Sequence, residues 1–364
     1  MSLGSPSSKD PAITGVPIHI ERCEQAFGSF VALKGVSLDV RGGELVTLLG
    51  PSGSGKTTLL RILAGLIQPT GGIIRIGGRD VTYLPAEKRD LGMVFQNYAL
   101  FPHLTIFENV AFPLRVRKVA KEEIKRRVNE TLALVGLPDH GQRFPGQLSG
   151  GQQQRIAIAR AIVFRPGVLL MDEPLGSLDK RLRQQLQVEI RMLQKEVGIT
   201  TVYVTHDQDE AFTISDRIAV MERGEIAQIG TPSEIYRSPS NHFVADFVGD
   251  LNCFKGIVHT NAGHSVLRTD NGVEIKLMGA ATASGAAVTC GVRPEKVRLD
   301  PGADENVFSA VVRSVSFKGN HHRAEITLAG GGNIVADLPE NSSIREGESV
   351  RIGWRAEDMH IFAG

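Results

Sequence analysis

The chain has 364 residues, more than one hydrophobic core ordinarily supports, so two domains are the starting expectation. Its 41 basic and 40 acidic residues leave a formal net charge of +1, which provides no basic excess for a phosphate-backbone groove and argues against nucleic acid as the partner. Cys23, Cys253 and Cys290 are far apart and odd in number, which fits neither a disulfide framework nor a zinc site and points to a reducing compartment. No apolar run approaches the about 18 residues of a spanning helix and no signal peptide is visible, so a soluble chain is expected, reaching a membrane only through a partner.

Residues 1–16 are rich in Ser, Pro and Gly and read as a disordered tail, 17–240 as a first domain and 241–364 as a second. The alternation in Ile18-His19-Ile20-Glu21 and Val36-Ser37-Leu38-Asp39-Val40 predicts a small antiparallel layer. Between them Phe27, with Phe30 nearby, either stacks on a nucleobase or packs within the layer.

Leu45-Val46-Thr47-Leu48-Leu49 then reads as a buried strand, Gly50-Pro51-Ser52-Gly53-Ser54-Gly55 as a loop, and Lys56-Thr57-Thr58-Leu59-Leu60 as the start of a helix. A phosphate chain needs many N–H donors converging on a small volume, and glycines let backbone approach that closely. The helix N-terminus adds its dipole, Lys56 a full charge, and the Thr57 hydroxyl a ligand for Mg²⁺.

Farther on, Gly71 to Gly78 reads as a strand between glycine turns, and Leu91 to Gln96 as a strand ending on an amide that can reach a metal or a water. Tyr98 to Leu104 is unusually apolar for a connection; it forms either a docking groove for a partner helix or the core of a helical subdomain. Lys121 to Gly136 is a helix with Ile124, Val128, Leu132 and Val135 on one face. Ser149-Gly150-Gly151-Gln152 feeds a second helix N-terminus and hence a second potential phosphate contact.

Val168-Leu169-Leu170-Met171 is apolar on both faces, as in the middle of a covered parallel sheet, and ends in Asp172-Glu173. Two acids at a strand's carboxyl end are costly to bury unless a cation or a reacting water uses them. Asp172 is therefore expected on the Mg²⁺ side, through water, and Glu173 as general base. The strand Thr201 to Thr205 delivers His206 to the same edge, as a γ-phosphate contact, and a hairpin turning at Arg223-Gly224 closes the domain. From about Asn241 short alternating strands take over, among them a hairpin turning at Asp270-Asn271-Gly272, which reads as a separate all-β barrel. His321 and His322 next to Arg323 either bind an anion or, the better reading, form a solvated loop.

This constellation resembles the ATP-binding subunits of ABC transporters: Walker A over Gly50 to Thr57, the Q-loop at Gln96, the signature Leu148 to Gln152, Walker B over Val168 to Glu173, the D-loop Ser177-Leu178-Asp179 and the switch histidine His206. The resemblance implies an α/β P-loop domain with antiparallel β and helical subdomains. It implies ATP and Mg²⁺ as cofactors, with Thr57, Gln96 and Asp172 on the metal. Glu173, His206, Lys56 and Gln96 would serve catalysis, and Phe27, the loop Gly50 to Thr58, Ser149, Gly150, Gly151, Gln152 and Asp179 the nucleotide. It implies a head-to-tail homodimer in which Ser149 and Gly151 complete the site of the other copy, and a location on the inner face of the membrane beneath a permease, with a solute-binding protein acting indirectly. Phe27 falls where tyrosine is more usual. The tail segments Phe247 to Asn252 and Gly291 to Glu295 are similar to the OB-like regulatory domain of importer ATPases. The runs Ala64-Gly65-Leu66, Tyr98 to Thr105 and Phe317-Lys318-Gly319 look most like importers of sulfate or thiosulfate, with sugar, polyamine, iron and molybdate importers as alternatives. An ABC-type ATPase working on ribosomes or DNA is the rival from another class, and the chain lacks the second nucleotide domain or long coiled-coil insertion usual in those.

Overall fold

The computed structural model describes residues 13–176, 178–261, 264–278, 284–302 and 306–363. The chain divides into two compact units, Met1–Pro232 and Ser233–Gly364, so the break falls at Pro232 rather than at 240. Of the expected tail, residues 13–16 are described and are bound to the first unit: the Gly15 N–H donates to the Gly198 carbonyl at 3.1 Å, and Val16 N–H to Gly167 at 3.2 Å.

In the first unit, β1 (Ile18–Phe27) and β2 (Phe30–Val40) form a hairpin that leads into β3 (Leu45–Leu49) and α1 (Lys56–Leu63). Then come β4 (Gly71–Ile76), β5 (Arg79–Asp80), β6 (Gly92–Val94), three helices α2 (Ile106–Val116), α3 (Lys121–Leu134) and α4 (Gly150–Ile162), and β7 (Val168–Asp172). The unit closes with α5 (Lys180–Val197), β8 (Thr200–Thr205), α6 (Gln208–Ile214), β9 (Arg217–Glu222) and β10 (Glu225–Gly230). The expected antiparallel layer is a four-stranded sheet in the order β2-β1-β4-β5, and a six-stranded sheet runs β10-β9-β3-β8-β7-β6. The pairs β3–β8, β3–β9, β7–β8 and β6–β7 are parallel, so β3, β6, β7, β8 and β9 all point their carboxyl ends at one edge.

Alternation along each central strand decides what it touches. Val168 and Leu170 join Val46, Leu48, Val202 and Val204 against α1 and the antiparallel layer. Leu169 and Met171 face the opposite way with Tyr203, onto Ile158 of α4 and Leu186 and Ile190 of α5. That two-sided burial is why all five residues of β3 and of β7 are buried. The helices α2, α3 and α4 form their own cluster through Ile106, Val110, Val128, Leu132 and Ile156. Tyr98 and Leu100 belong to these cores while Phe101 does not, so the apolar run after Gln96 is core in part.

The second unit opens with α7 (Pro232–Arg237), which straddles the break, and α8 (His242–Phe247), followed by β11 (Asn252–Asn261), β12 (His264–Thr269), β13 (Glu274–Leu277), β14 (Ala287–Val292), β15 (Arg298–Leu299), β16 (Asn306–Phe317), β17 (His321–Leu328), β18 (Asn333–Pro339), β19 (Ser349–Trp354) and β20 (Met359–Ala363). They make two five-stranded sheets, β13-β12-β11-β14-β20 and β15-β19-β16-β17-β18. The two orders are the same three-strand meander plus a fourth strand, run twice, with the short last strands β15 and β20 exchanged between the repeats. Sequence keeps a trace of it: Gly291-Val292-Arg293-Pro294-Glu295 and Gly353-Trp354-Arg355-Ala356-Glu357 occupy equivalent places. Each repeat grips the outer strand of the other with an asparagine. Asn252 exchanges hydrogen bonds with the Val335 backbone at 2.8 and 2.7 Å, and Asn306 with Lys276 at 3.1 and 2.6 Å. These side chains satisfy edge groups that would otherwise be unpaired. His321, His322 and Arg323 sit on β17, not in a solvated loop; Arg323 pairs with Asp250, and His321 stands 3.5 Å from Asp337.

The three cysteines are free. Burial pushes the Cys23 thiol up to about 11 and the Cys290 thiol up to about 12, so both are inert packing residues.

Candidate functional site

Strand β3 ends in the loop Gly50 to Gly55, and geometry there demands glycine. A Cβ on Gly50 would stand 2.4 Å from the Met221 carbonyl oxygen, and Gly55, with φ 102°, caps α1 in the left-handed region. Lys56, almost wholly buried, folds its ammonium back onto the loop: Nζ donates to the Gly50 carbonyl at 2.7 Å and to Pro51 at 2.9 Å. Burial lowers its pKa, and the charges of Glu173 and Asp172 oppose that shift. The loop thus holds a desolvated cation among carbonyl oxygens, a site that a phosphate group completes.

The neighbouring strands bring the other groups to the same edge. Asp172, the last residue of β7, lies 3.5 Å from the Thr57 hydroxyl and is 8 % exposed; burial holds its carboxyl above the ordinary range. Glu173 follows with φ 44°, anchored by its N–H on the Val204 carbonyl at 3.1 Å. Its Oε2 stands 3.2 Å from His206 Nδ1, at the end of β8, and 3.5 Å from Gln96 Nε2, beyond the end of β6. Lys56, Thr57, Gln96, Asp172, Glu173 and His206 therefore converge, as the parallel register requires. Among the described residues no cluster of three or more His, Cys, Asp or Glu side chains could hold a metal alone. The Thr57 hydroxyl and the Asp172 carboxylate are hard oxygen donors, and they fit Mg²⁺, which takes few protein ligands and completes its octahedron with water and phosphate oxygens.

Ser149 and its neighbours are placed differently. Ser149 is the N-cap of α4, its hydroxyl accepting from the Gln152 N–H at 3.3 Å while the Gln152 side chain accepts from the Ser149 N–H at 3.0 Å. Gly150 and Gly151 lie against the start of α5: Cβ atoms there would meet Leu178 at 2.9 Å and Leu182 at 3.1 Å. Asp179 caps α5 through the Leu182 N–H at 3.0 Å. Ser177 lies outside the described residues. Phe27 is at the tip of the β1–β2 hairpin, opposite Phe30, and 49 % exposed. Its side chain does not pack within the layer, which leaves the ring face open for stacking.

Three arginines that sequence reasoning passed over hold this site together. Arg89 is buried and donates to the carbonyls of Leu84, Ile62, Leu63 and Thr82, tying down the end of α1. Arg160 of α4 spans the carbonyls of Ala99 and Tyr98, at 2.7 and 2.8 Å, where both residues have positive φ. Arg183 of α5 joins Asp207 to the Leu178 carbonyl. Nothing in their spacing distinguishes them from solvated helix charges. Beside Arg160 lies a groove of about 720 Å³ lined by Phe95, Phe101, Phe112, Val116, Arg117 and Phe164.

A phosphate loop at the carboxyl edge of a parallel sheet, a strand-end carboxylate pair and a second glycine turn capping another helix define an ATP-binding cassette, and the chain belongs to the ATP-binding proteins of ABC transporters. The ABC transporter family model matches residues 33–176, and that for the TOBE domain matches 290–362. Among relatives, the spermidine/putrescine import ATP-binding protein PotA of Rubrobacter xylanophilus is 47 % identical over 96 % of this chain and 94 % of its own length. The Fe(3+) ions import ATP-binding protein FbpC 1 of Rhizobium meliloti is 46 % identical over 94 % of this chain and 96 % of its own. Among solved structures, the ATP-binding cassette MJ0796, described as a dimer in a post-hydrolysis state bound to ADP and Pi, aligns with a TM-score of 0.53 at 35 % identity, over 59 % of this chain and 98 % of that one. The protein is an ATPase with ATP and Mg²⁺ as its cofactors. None of the reported relatives is named for sulfate.

Proposed function

We propose that this chain is the motor subunit of an importer, working as a head-to-tail pair in which each ATP lies between the Lys56 loop of one copy and Ser149 and Gly151 of the other. The observation that carries this is the separation of roles: six polar groups, Lys56 and Glu173 among them, converge at one strand edge, while among the described residues the Ser149 hydroxyl engages its own helix N-terminus. That leaves the dipole end of α4 available to a phosphate from outside the chain.

On this reading Lys56 exchanges its loop carbonyls for phosphate oxygens, and Phe27 stacks on the base. Mg²⁺, when bound, neutralises phosphate charge beside Thr57 and Asp172. Glu173 takes a proton from the attacking water as its oxygen bonds to the γ-phosphorus and the bond to the β-phosphate oxygen breaks; His206 and Gln96 fix the Glu173 carboxylate. Catalysis is mainly positioning and charge neutralisation. The Phe101–Phe112 groove is the docking site for a permease helix: Phe112 is 41 % and Val116 64 % exposed there, and Arg160 links the groove to the segment after Gln96. Membrane attachment comes through that partner, because no helix of the described residues is long and apolar enough to cross a bilayer.

For the solute, the relatives' names favour a polyamine or ferric iron over the sulfate or thiosulfate suggested by the local runs. The test is co-purification with a permease, followed by ATP-driven uptake of spermidine, ferric ion and sulfate in vesicles. Uptake of none, with ATPase activity intact, refutes the importer reading; uptake of sulfate alone refutes the solute assignment.

A further inference from the structure

The side chain of Arg183 reaches two segments that the chemistry uses separately. Its Nη1 donates to Asp207 Oδ2 at 2.8 Å and its Nη2 to the Leu178 carbonyl at 3.1 Å, while Glu210 Oε1 stands 3.8 Å from Nε. Asp207 is the residue after His206. Its other oxygen caps α6 by accepting from the Glu210 N–H at 3.1 Å, and its own N–H donates to the Thr205 hydroxyl at 3.0 Å. The backbone on the far side of His206 is thus pinned through Asp207, whereas the described contact of the imidazole is with Glu173 alone, at 3.2 Å, and the ring is 61 % exposed. On the other side, Leu178 packs against Gly150, beside Ser149, and precedes the α5 cap Asp179. One guanidinium therefore closes a chain of contacts running Gly150, Leu178, Arg183, Asp207, His206, Glu173.

We infer that Arg183 is a positioning residue that joins the two half-sites of a single chain: it sets His206 against Glu173 and at the same time sets the signature turn through Leu178. Resting on the proposed head-to-tail pair, this makes the triphosphate bound at Glu173 and the triphosphate contacted by Ser149 mechanically dependent on each other. The guanidinium serves the Asp207 carboxylate and the Leu178 carbonyl from separate nitrogens; a lysine puts a single nitrogen in their place, which the carboxylate attracts more strongly than the carbonyl, and retains the charge.

The test compares R183M and R183K with the unaltered full chain in ATPase, nucleotide-binding and hydrogen-exchange measurements. In R183M kcat falls about tenfold while nucleotide affinity stays within about twofold, and the Hill coefficient for ATP drops toward one. R183K, which keeps Asp207 but not Leu178, recovers part of kcat without recovering the cooperativity. Amide exchange quickens together in the 206–214 and 176–182 peptides of R183M and is unchanged over 168–172. A wild-type kcat and Hill coefficient in either variant, or faster exchange in one segment only, overturns the inference, and R183K decides alone if R183M does not fold. Should the unaltered chain hydrolyse no ATP, the functional reading fails while the exchange arm still decides the role of Arg183.

Discussion

Replacing Glu173 by Gln changes one atom at the point where six polar groups meet, and the structure sets the size of each consequence. Gln keeps the length of the side chain and an oxygen that accepts from Gln96 Nε2, now 3.5 Å from Oε2, and from His206 at 3.2 Å, so local packing is retained. The left-handed backbone at Glu173, φ 44°, is no harder for Gln than for Glu, and folding stability should stay within about 0.5 kcal/mol. Binding should not weaken, because a negative charge is removed from beside a site that receives a triphosphate. What is lost, on the proposed mechanism, is the base. Removal of a positioned general base costs about 10²–10⁴ in rate, or about 3–5 kcal/mol of barrier at about 1.36 kcal/mol per decade. Single-turnover hydrolysis and a fluorescent-nucleotide titration measure the two effects, and gel filtration with MgATP should show the variant trapped as a dimer. Turnover at the wild-type rate would remove Glu173 from the base role; lost hydrolysis together with lost binding would mean that the site had collapsed.

Asp172 gives a pH-dependent outcome. Burial raises its pKa in the folded state, so its contribution to stability is fully present below the unfolded value and is lost as pH rises through the folded one. Asp172→Asn should therefore melt higher than wild type at neutral pH without nucleotide and equally near about pH 3, while losing the added stabilisation that Mg²⁺ brings to ATP; a lower melting point at neutral pH would contradict the sign. Arg89→Met removes the donor to four carbonyls, of which Ile62 keeps the Gly65 N–H at 3.0 Å, and should destabilise the first unit by about 3 kcal/mol, read by chemical denaturation. An effect under about 0.5 kcal/mol would show that water replaces the guanidinium. Phe27→Ala should weaken ATP and GTP alike by about tenfold, from about 1–3 kcal/mol of base stacking, with unchanged melting temperature because the ring is 49 % exposed. Loss of one nucleotide only would indicate a base-edge contact instead.

The motifs could be read from the chain because each is a local event. A buried strand, a glycine turn and a helix start occur within 16 consecutive residues at Leu45–Leu60, and Lys56, which bonds the Gly50 and Pro51 carbonyls of the loop, is in that stretch. The strand ends carrying Asp172, Glu173 and His206 are legible for a related reason: a strand apolar on both faces belongs in a covered parallel sheet, whose carboxyl ends share an edge. Helix α2 escaped notice, since its apolar residues continue the run from Tyr98 without a break and its Thr105 cap is a common sequence. The repeat in the second unit was equally hidden, because short alternating strands look alike and the exchange of β15 and β20 leaves no mark on periodicity.

Composition and order of residues by themselves determined that the chain holds a triphosphate cradle, a carboxylate pair and a second glycine-capped helix, followed by β-rich sequence. Strand order, the convergence of Gln96, Glu173 and His206 within 3.5 Å, and the work of Arg89, Arg160 and Arg183 were decided only in three dimensions. The reason is physical. A guanidinium on a helix has the same sequence signature whether it ends in water or on a buried carbonyl, and which of the two it meets depends on segments that can be more than 60 residues away, as Arg160 and Tyr98 are.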